Sequence, residues 1–131
     1  MTSYNDKKNN RILVVDDEPD ITHVVEMVLE DNGFLVDSYT DPTLALSNFK
    51  PGLYDLLLLD IRMPKMNGFE LYQKMKEIDS NVKICFFTAS ELFYEEYRRL
   101  DGLPRVDKEY FIQKPFRTKE MIRQLNEILS H

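Results

Sequence analysis

Five short runs of apolar residues recur along the chain and are separated by stretches with a different periodicity. The runs occupy residues 12–15, 34–36, 56–59, 84–87 and 110–112. In the first, third and fourth runs the apolar residues follow one another without polar alternation, which is typical of strands covered on both faces of a sheet. The five runs therefore predict five strands of a largely buried parallel sheet.

The segments between these runs have helical periodicity. Apolar residues of the first segment are spaced as on one face of a helix, at Ile21, Val24, Val25, Val28 and Leu29. Similar stripes occur over residues 71–78 and 121–129, a weaker helix is predicted over residues 43–49, and residues 91–100 form a less regular candidate. The pattern therefore predicts five helices, one after each strand.

Residues that start and stop helices lie where the periodicity changes. Asp41 before Pro42 predicts the start of the second helix, because Asp is a favoured N-cap and Pro a favoured first residue. Gly33 predicts the end of the first helix, since glycine readily adopts the conformation that follows a helix. The repeated alternation predicts an α/β protein with helices on both faces of the sheet and right-handed crossovers.

Length and composition set the domain count and exclude several classes of partner. The 131 residues, 43% of them hydrophobic, suffice for one globular domain, which we expect at residues 11–131 after a flexible polar tail at 1–10. A net charge of −6 gives no electrostatic reason to bind bare nucleic acid or an anionic membrane. One cysteine, no long apolar run and no signal-peptide pattern predict a cytoplasmic protein.

Polar residues follow four of the predicted strands directly. Asp16 and Asp17 come after the first strand, Asp60 after the third, Thr88 at the end of the fourth and Lys114 after the fifth. Open α/β sheets bind ligands at the carboxyl ends of their strands. We therefore expect three carboxylates, a hydroxyl and an ammonium to converge at one edge of the sheet.

This combination of groups indicates a particular chemistry. Neighbouring carboxylates repel one another, and a divalent cation removes that cost; Mg²⁺ takes one or two carboxylates together with waters and phosphate oxygens. A carboxylate beside Mg²⁺ can attack a phosphoryl group, whose developing charge an ammonium and a hydroxyl then stabilise. The set therefore predicts phosphoryl transfer to an aspartate, with Mg²⁺ as the cofactor.

Four pieces of sequence resemble the receiver domain of two-component response regulators, including its stand-alone members that are similar to chemotaxis regulators. They are Val15-Asp16-Asp17, Asp60 with Pro64 four residues later, Thr88-Ala89 and Lys114-Pro115. The resemblance covers residues 11 to about 130. It implies a flavodoxin-like, doubly wound fold with a five-stranded parallel sheet in the order 2-1-3-4-5 and five helices.

The resemblance also implies the roles of the acidic residues. Asp60 would be the phosphoacceptor and a metal ligand. Asp17 would bind Mg²⁺ directly, whereas Asp16 would act through water or as a second carboxylate. The backbone carbonyl of Arg62 would be a further metal ligand.

Four further residues receive roles around the phosphoryl group in the same way. Lys114 would pair with the phosphoryl oxygens, Thr88 would move to hydrogen-bond them, and the amide of Ala89 would donate another bond. Phe111 falls on the position of the family's switch aromatic, although a plain core aromatic also fits there. The bond between Lys114 and Pro115 is often cis in the family.

Two features depart from the family pattern. Thr88 and Lys114 are 26 positions apart, a few more than a receiver needs, and residues 106–109 replace the usual pair of small residues. This lengthened segment, residues 89–110, is the region that normally forms the partner surface. Arg62 occupies a variable position that tunes hydrolysis, where its long cation either shields the acyl phosphate or guides it.

The resemblance implies partners and limits the activity. Phosphate would come from a phosphohistidine of a sensor histidine kinase or a histidine phosphotransfer protein. The chain would catalyse only its own phosphorylation and dephosphorylation and would act on an unidentified output partner, pass phosphate on in a relay, serve as a phosphate sink, or form a phosphorylation-dependent homodimer. It is either a stand-alone regulator or a receiver cut from a longer one.

Two other functions compete with this interpretation. A Mg²⁺-dependent phosphohydrolase with an aspartate nucleophile favours an acidic residue two positions later, where this chain has Arg62. That class also uses a cap domain to select its substrate. A degenerate receiver that binds partners without phosphorylation is the second alternative, and the altered segment at residues 89–110 keeps it open.

Overall fold

Five strands and four helices alternate in the part of the chain that the structure, a computed structural model, describes: residues 9–89, 98–99 and 110–130. The strands are β1 (Arg11–Val15), β2 (Leu35–Tyr39), β3 (Leu56–Asp60), β4 (Lys83–Thr88) and β5 (Phe111–Gln113). The helices are α1 (Pro19–Asp31), α2 (Pro42–Ser47), α3 (Gly68–Ile78) and α4 (Thr118–Leu129). The fifth predicted helix, at 91–100, lies outside the described residues except for Arg98 and Arg99. The predicted tail at 1–10 lies outside them except for its last two residues.

All five strands are parallel and lie in the order β2-β1-β3-β4-β5, as predicted. The strand register places Val15 beside Leu59 and Asp60 beside Phe87. The residues that follow these strands are therefore level with one another at the carboxyl edge of the sheet. This arrangement confirms the flavodoxin-like fold.

Consecutive apolar residues of the central strands serve two separate cores. The four leucines of β3 are fully buried, and successive side chains of a strand point to opposite faces. Leu57 and Leu59 pack with residues of α2 and α3, whereas Leu56 and Leu58 pack with residues of α1 and α4. The absence of polar alternation in this run thus has the predicted cause, a sheet covered on both faces.

Helix boundaries agree with the sequence at two of the predicted positions. Asp41 caps α2, and its side chain accepts a hydrogen bond from the amide of Thr43. Gly33 follows α1 with a positive φ of 90°, as expected for a helix stop. In contrast, α2 ends at Ser47, earlier than the predicted 49, because Phe49 reaches the core from a turn after the helix.

Strand β2 is longer than its apolar run. It extends to Tyr39 and includes the polar residues Asp37 and Ser38. These residues are only partly buried because β2 lies at the edge of the sheet. An edge strand tolerates polar side chains, so its apolar run at residues 34–36 predicted the position of the strand but not its extent.

No helix in the described parts of the chain has both the length and the apolar character needed to cross a membrane.

Candidate functional site

Three carboxylates meet at the carboxyl edge of the sheet. Asp16 follows β1 and is fully buried, Asp17 is partly exposed, and Asp60, the last residue of β3, is 6% exposed. One carboxylate oxygen from each residue lies within 4.8 Å of the other two. We refer to Asp16, Asp17 and Asp60 as the acidic site. The predicted convergence of these residues is observed.

Lys114 extends its side chain into the acidic site from the end of β5. Its backbone amide donates to the carbonyl of Thr88 at 2.7 Å, and its bond to Pro115 is cis. The Nζ atom lies 2.7 Å from Oδ2 of Asp16 and 3.4 Å from Oδ1 of Asp60. It also lies 3.7 Å from the exposed carboxylate of Glu18. Two of the three carboxylates therefore share one ammonium group.

Asp16 uses both of its carboxylate oxygens within the protein. Oδ1 accepts a hydrogen bond from the amide of Glu18 at 3.0 Å, and Oδ2 accepts one from Lys114. Asp16 is therefore left with fewer lone pairs for a metal ion than Asp17, for which the structure gives no such bond among the described residues. This geometry suits Asp16 to orienting Lys114 and, through water, to a metal ion. Sequence reasoning missed Glu18, because its contacts with Asp16 and Lys114 depend on the conformation of the loop after β1.

Burial and like charge perturb the acidic site. Burial, followed by the negative charge of Asp16, raises the pKa of Asp60 to about 7, although Lys114 opposes the rise. Burial also lowers the pKa of Lys114, but its hydrogen bond to Asp16 and the charge of Asp60 outweigh this, so the pKa rises. A single ammonium is thus insufficient to keep Asp60 in its ordinary ionised range. The residues fit a divalent cation, which would supply the missing positive charge.

The segment after Asp60 is closed on itself before α3 begins. The amide of Gly68 donates to the carbonyl of Ile61 at 2.8 Å, and Asn67 and Glu70 form a reciprocal capping box. A Cβ atom at position 68 would overlap the carbonyl oxygen of Asp60. Glycine is therefore required for α3 to approach the acidic site. Sequence reasoning missed this position, although Asn-Gly with Glu three residues after the Asn is a pattern that starts a helix.

The other predicted site residues lie at or near the same edge. Thr88 ends β4 and is 3% exposed, and Ala89 follows it on the surface. Phe111 begins β5, is partly buried, and its ring centroid lies 5.2 Å from that of Phe86. Arg62 is exposed in the segment after Asp60. Most of the lengthened segment at residues 89–110 lies outside the described residues.

Comparisons with known proteins agree with this fold. A family model of the response regulator receiver domain matches residues 12–126. The chain therefore belongs to the receiver domain family of two-component response regulators. It is 34% identical over 115 residues to the transcriptional regulatory protein DltR of Streptococcus agalactiae, covering 88% of this chain and 50% of that protein. The chain thus spans about half the length of that curated relative.

Solved structures give the same result at the level of the fold. The non-phosphorylated HemR receiver domain of Leptospira biflexa superposes with a TM-score of 0.79 at 28% identity, covering 94% of this chain and 96% of that one. The chemotaxis protein CheY4 of Vibrio cholerae has a TM-score of 0.76 at 22% identity, with 92% and 99% covered. The second likeness concerns the fold alone.

Proposed function

We propose that this receiver domain takes a phosphoryl group onto Asp60 from a phosphohistidine of a sensor histidine kinase or a histidine phosphotransfer protein. The observation that carries the proposal is the position of the Asp60 carboxylate. It lies at the end of a buried strand, within 4.8 Å of two further carboxylates and 3.4 Å from the ammonium of Lys114. Carboxylates grouped in this way repel one another, and a cation relieves that repulsion.

Magnesium is the cofactor that these residues fit best. Asp17 and Asp60 would hold the ion directly, Asp16 would act mainly through water, and the carbonyl of Arg62 would be a further ligand. When bound, Mg²⁺ neutralises the excess negative charge and stabilises the oxygens of the transferred group. The raised pKa of Asp60, about 7 in the metal-free protein, supports the need for such a cation.

The residues of the chain have separate roles in the transfer. A carboxylate oxygen of Asp60 attacks phosphorus, the new O–P bond forms, and the N–P bond of the phosphohistidine breaks. The imidazole nitrogen leaves with the electron pair and takes up a proton, so the donor ends as ordinary histidine. Lys114, which lies 2.7 Å from Asp16, would neutralise charge on the phosphoryl oxygens. The Thr88 hydroxyl and the Ala89 amide would donate further hydrogen bonds.

Phosphorylation would then alter a partner-binding surface. Thr88 would turn toward the phosphoryl group, and Phe111, which packs against Phe86, would change its rotamer in response. The output is an unidentified partner or a phosphorylation-dependent homodimer, and the protein acts in the cytoplasm. Its catalysis is limited to its own phosphorylation and dephosphorylation, with Arg62 tuning the second. We propose this for the receiver whether it acts alone or as part of a longer regulator.

Intact mass after incubation with acetyl phosphate and Mg²⁺ tests the proposal. The wild-type protein is expected to gain one phosphoryl group, and a chelator should abolish the gain. Asp60→Asn should gain none. Asp55→Asn, directly before the first residue of the same strand, is the matched control and should be phosphorylated normally. If Asp60→Asn gains a phosphoryl group as the wild-type protein does, the acceptor assignment is wrong. If neither protein is modified, a phosphorylation-independent receiver explains the chain better.

A further inference from the structure

Lys65 has a backbone conformation that side chains normally avoid. Its φ is 73°, and it is the one non-glycine residue with a positive φ in the described parts of the chain. A Cβ atom makes the left-handed region unfavourable, so such a residue persists only where its surroundings hold it there. Lys65 lies in the segment from residue 61 to residue 67, which we call the β3–α3 loop.

The β3–α3 loop is closed at its base and turned at its tip. At the base, the amide of Gly68 donates to the carbonyl of Ile61 at 2.8 Å. Near the tip, the amide of Met66 donates to the carbonyl of Pro64 at 2.8 Å. The loop is also held by the core, since the amide of buried Ile61 donates to the carbonyl of Phe87 at 3.2 Å, and Met63 and Met66 pack against the core of this face. Lys65 lies at the exposed tip.

Lys65 adds a contact between the exposed tip of the loop and a neighbouring element. Its Nζ atom lies 3.0 Å from Oδ2 of Asp41, the residue that caps α2. Oδ1 of Asp41 accepts hydrogen bonds from the amide of Thr43 at 2.9 Å and from its hydroxyl at 2.7 Å. The carboxylate is therefore held by the start of a helix rather than by a mobile side chain. The tip of the loop is thus tied to a rigid point on a neighbouring element.

We propose that Lys65 is a positioning residue for the divalent cation. Through Asp41 it holds the tip of the β3–α3 loop and so restricts the backbone carbonyl of Arg62, the ligand that the proposed function takes from this loop. This inference rests on the proposed function, because the Arg62 carbonyl matters only if the acidic site binds a cation. Lys65 itself touches neither the cation nor the phosphoryl group.

An electrostatic role and a positioning role for Lys65 predict opposite changes in Mg²⁺ affinity when its charge is removed. Lys65 is a cation near a cation site, so removing its charge would strengthen Mg²⁺ binding if it acted only through long-range electrostatics. A positioning role predicts weaker binding instead, because a loosely held carbonyl must be ordered when the ion binds. The direction of the change therefore separates the two explanations.

The experiment measures Mg²⁺ binding to the metal-free protein by isothermal titration calorimetry at fixed ionic strength. Lys65→Met keeps much of the side-chain length and removes the ion pair, and we expect its affinity to fall about threefold. Lys65→Arg should restore wild-type affinity because it keeps the cation. Arg123→Met is the matched control: it breaks the exposed ion pair of Arg123 with Glu127 on α4, and its affinity should not change.

Two further measurements connect the effect to the loop. Asp41→Asn keeps an oxygen for the Thr43 amide but loses the ion pair, and the double variant with Lys65→Met should bind no more weakly than Asp41→Asn alone. In the metal-free protein, the amides of Met66 and Gly68 should exchange with deuterium faster in Lys65→Met than in wild type. This second readout does not depend on phosphorylation.

The possible outcomes separate the inference from the function on which it rests. If the wild-type protein binds no Mg²⁺, the proposed function fails, and the inference fails with it. If the wild-type protein binds Mg²⁺ and Lys65→Met binds as well or more tightly, only the inference is wrong. Weaker binding by Lys65→Met, rescue by Lys65→Arg and faster exchange at Met66 and Gly68 together support it.

Discussion

Carboxylates lie on both sides of the middle of the sheet, and three of those in the middle or near the amino edge, Asp37, Asp55 and Asp79, are matched by donors. Oδ2 of Asp55 accepts a hydrogen bond from the amide of Arg11 at 2.9 Å. Asp37 pairs with the guanidinium of Arg11 at 3.2 Å and accepts a bond from the Tyr54 hydroxyl at 2.7 Å. Asp79 accepts from two backbone amides, at 2.8 and 3.0 Å. Each of these carboxylates joins one part of the fold to another.

The acidic site at the carboxyl edge is organised differently. Two of its three carboxylates share the ammonium of Lys114, and the pKa of Asp60 rises to about 7 through burial and the charge of Asp16. Donors thus match the carboxylates near the amino edge, whereas the negative charge of Asp60 is only partly compensated. A cation can neutralise such excess negative charge, which is why we propose a functional role for Asp60.

The largest expected difference between the edges is in covalent phosphorylation. Asp60→Asn should abolish it and, since it removes an ionised carboxyl from a repulsive site, should stabilise the metal-free protein by about 1–2 kcal/mol at pH 8. Asp55→Asn should leave phosphorylation intact and destabilise the protein slightly. Intact mass and urea unfolding measure the two properties. Loss of stability in Asp60→Asn would contradict the view that the acidic site is repulsive.

One glycine near each edge of the sheet allows the two edges to be compared by the stability cost of an added Cβ atom. Gly68→Ala would place Cβ against the carbonyl oxygen of Asp60, so we expect a loss of about 3 kcal/mol together with slower phosphorylation. Gly52, near the amino edge, has a φ of 80° and open space around it, so Gly52→Ala should cost only about 1 kcal/mol. Thermal unfolding gives both values. Equal costs would mean that α3 does not need its close approach to Asp60.

One lysine near each edge of the sheet allows the two edges to be compared by the stability cost of removing an ammonium group. Lys114→Met leaves buried Asp16 without its ammonium, and we expect a loss of about 2 kcal/mol in the metal-free protein at pH 8. Saturating Mg²⁺ should recover part of that loss. Lys83, near the amino edge, donates to the carbonyl of Leu129 at 3.0 Å, and Lys83→Met should cost about 1 kcal/mol with no recovery by Mg²⁺. Urea unfolding with and without Mg²⁺ distinguishes the two lysines.

The pH dependence of stability gives a smaller effect with a definite sign. Between about pH 4, the ordinary pKa of an aspartate, and about pH 7, Asp60 binds more protons in the folded than in the unfolded protein. Its contribution is therefore lost as pH rises through this window. Metal-free wild type should lose about 1 kcal/mol more between pH 5 and pH 8 than Asp60→Asn does. The control Asp55→Asn should keep the wild-type slope.

The smallest effect belongs to a hydroxyl near the amino edge. Burial and the hydrogen bond to Asp37 raise the pKa of Tyr54, so this hydroxyl stays a donor across the physiological range. Tyr54→Phe should cost about 1 kcal/mol in urea unfolding, the value of one hydrogen bond. It should not change phosphorylation. A phosphorylation defect in this variant would show that the two edges are coupled.

Much of the fold and of the acidic site follows from the sequence. The unbroken leucines of β3 identify a strand buried on both faces, and Asp60 directly after them must lie at its carboxyl edge. The same reasoning places Asp16 and Lys114 there, because parallel strands end at one edge. Residues that follow buried strands were therefore the predictable part of the site.

The remaining features depend on loop geometry that periodicity does not encode. The positive φ of Lys65 and its contact with Asp41, 24 positions away, have no local sequence pattern. The overlap that forbids a side chain at Gly68 involves the backbone of Asp60, from another element. Polar residues of β2, such as Asp37, were not predicted as strand because an edge strand is only partly buried.

The most direct test of the central claim is to locate the phosphoryl group on the chain. Borohydride reduces an acyl phosphate to an alcohol and so converts the modified aspartate to homoserine, which peptide mass spectrometry can place. After incubation with acetyl phosphate and Mg²⁺, we predict homoserine at position 60 and nowhere else. Homoserine at position 16, 17 or 55 would contradict the assignment of Asp60 as the phosphoacceptor.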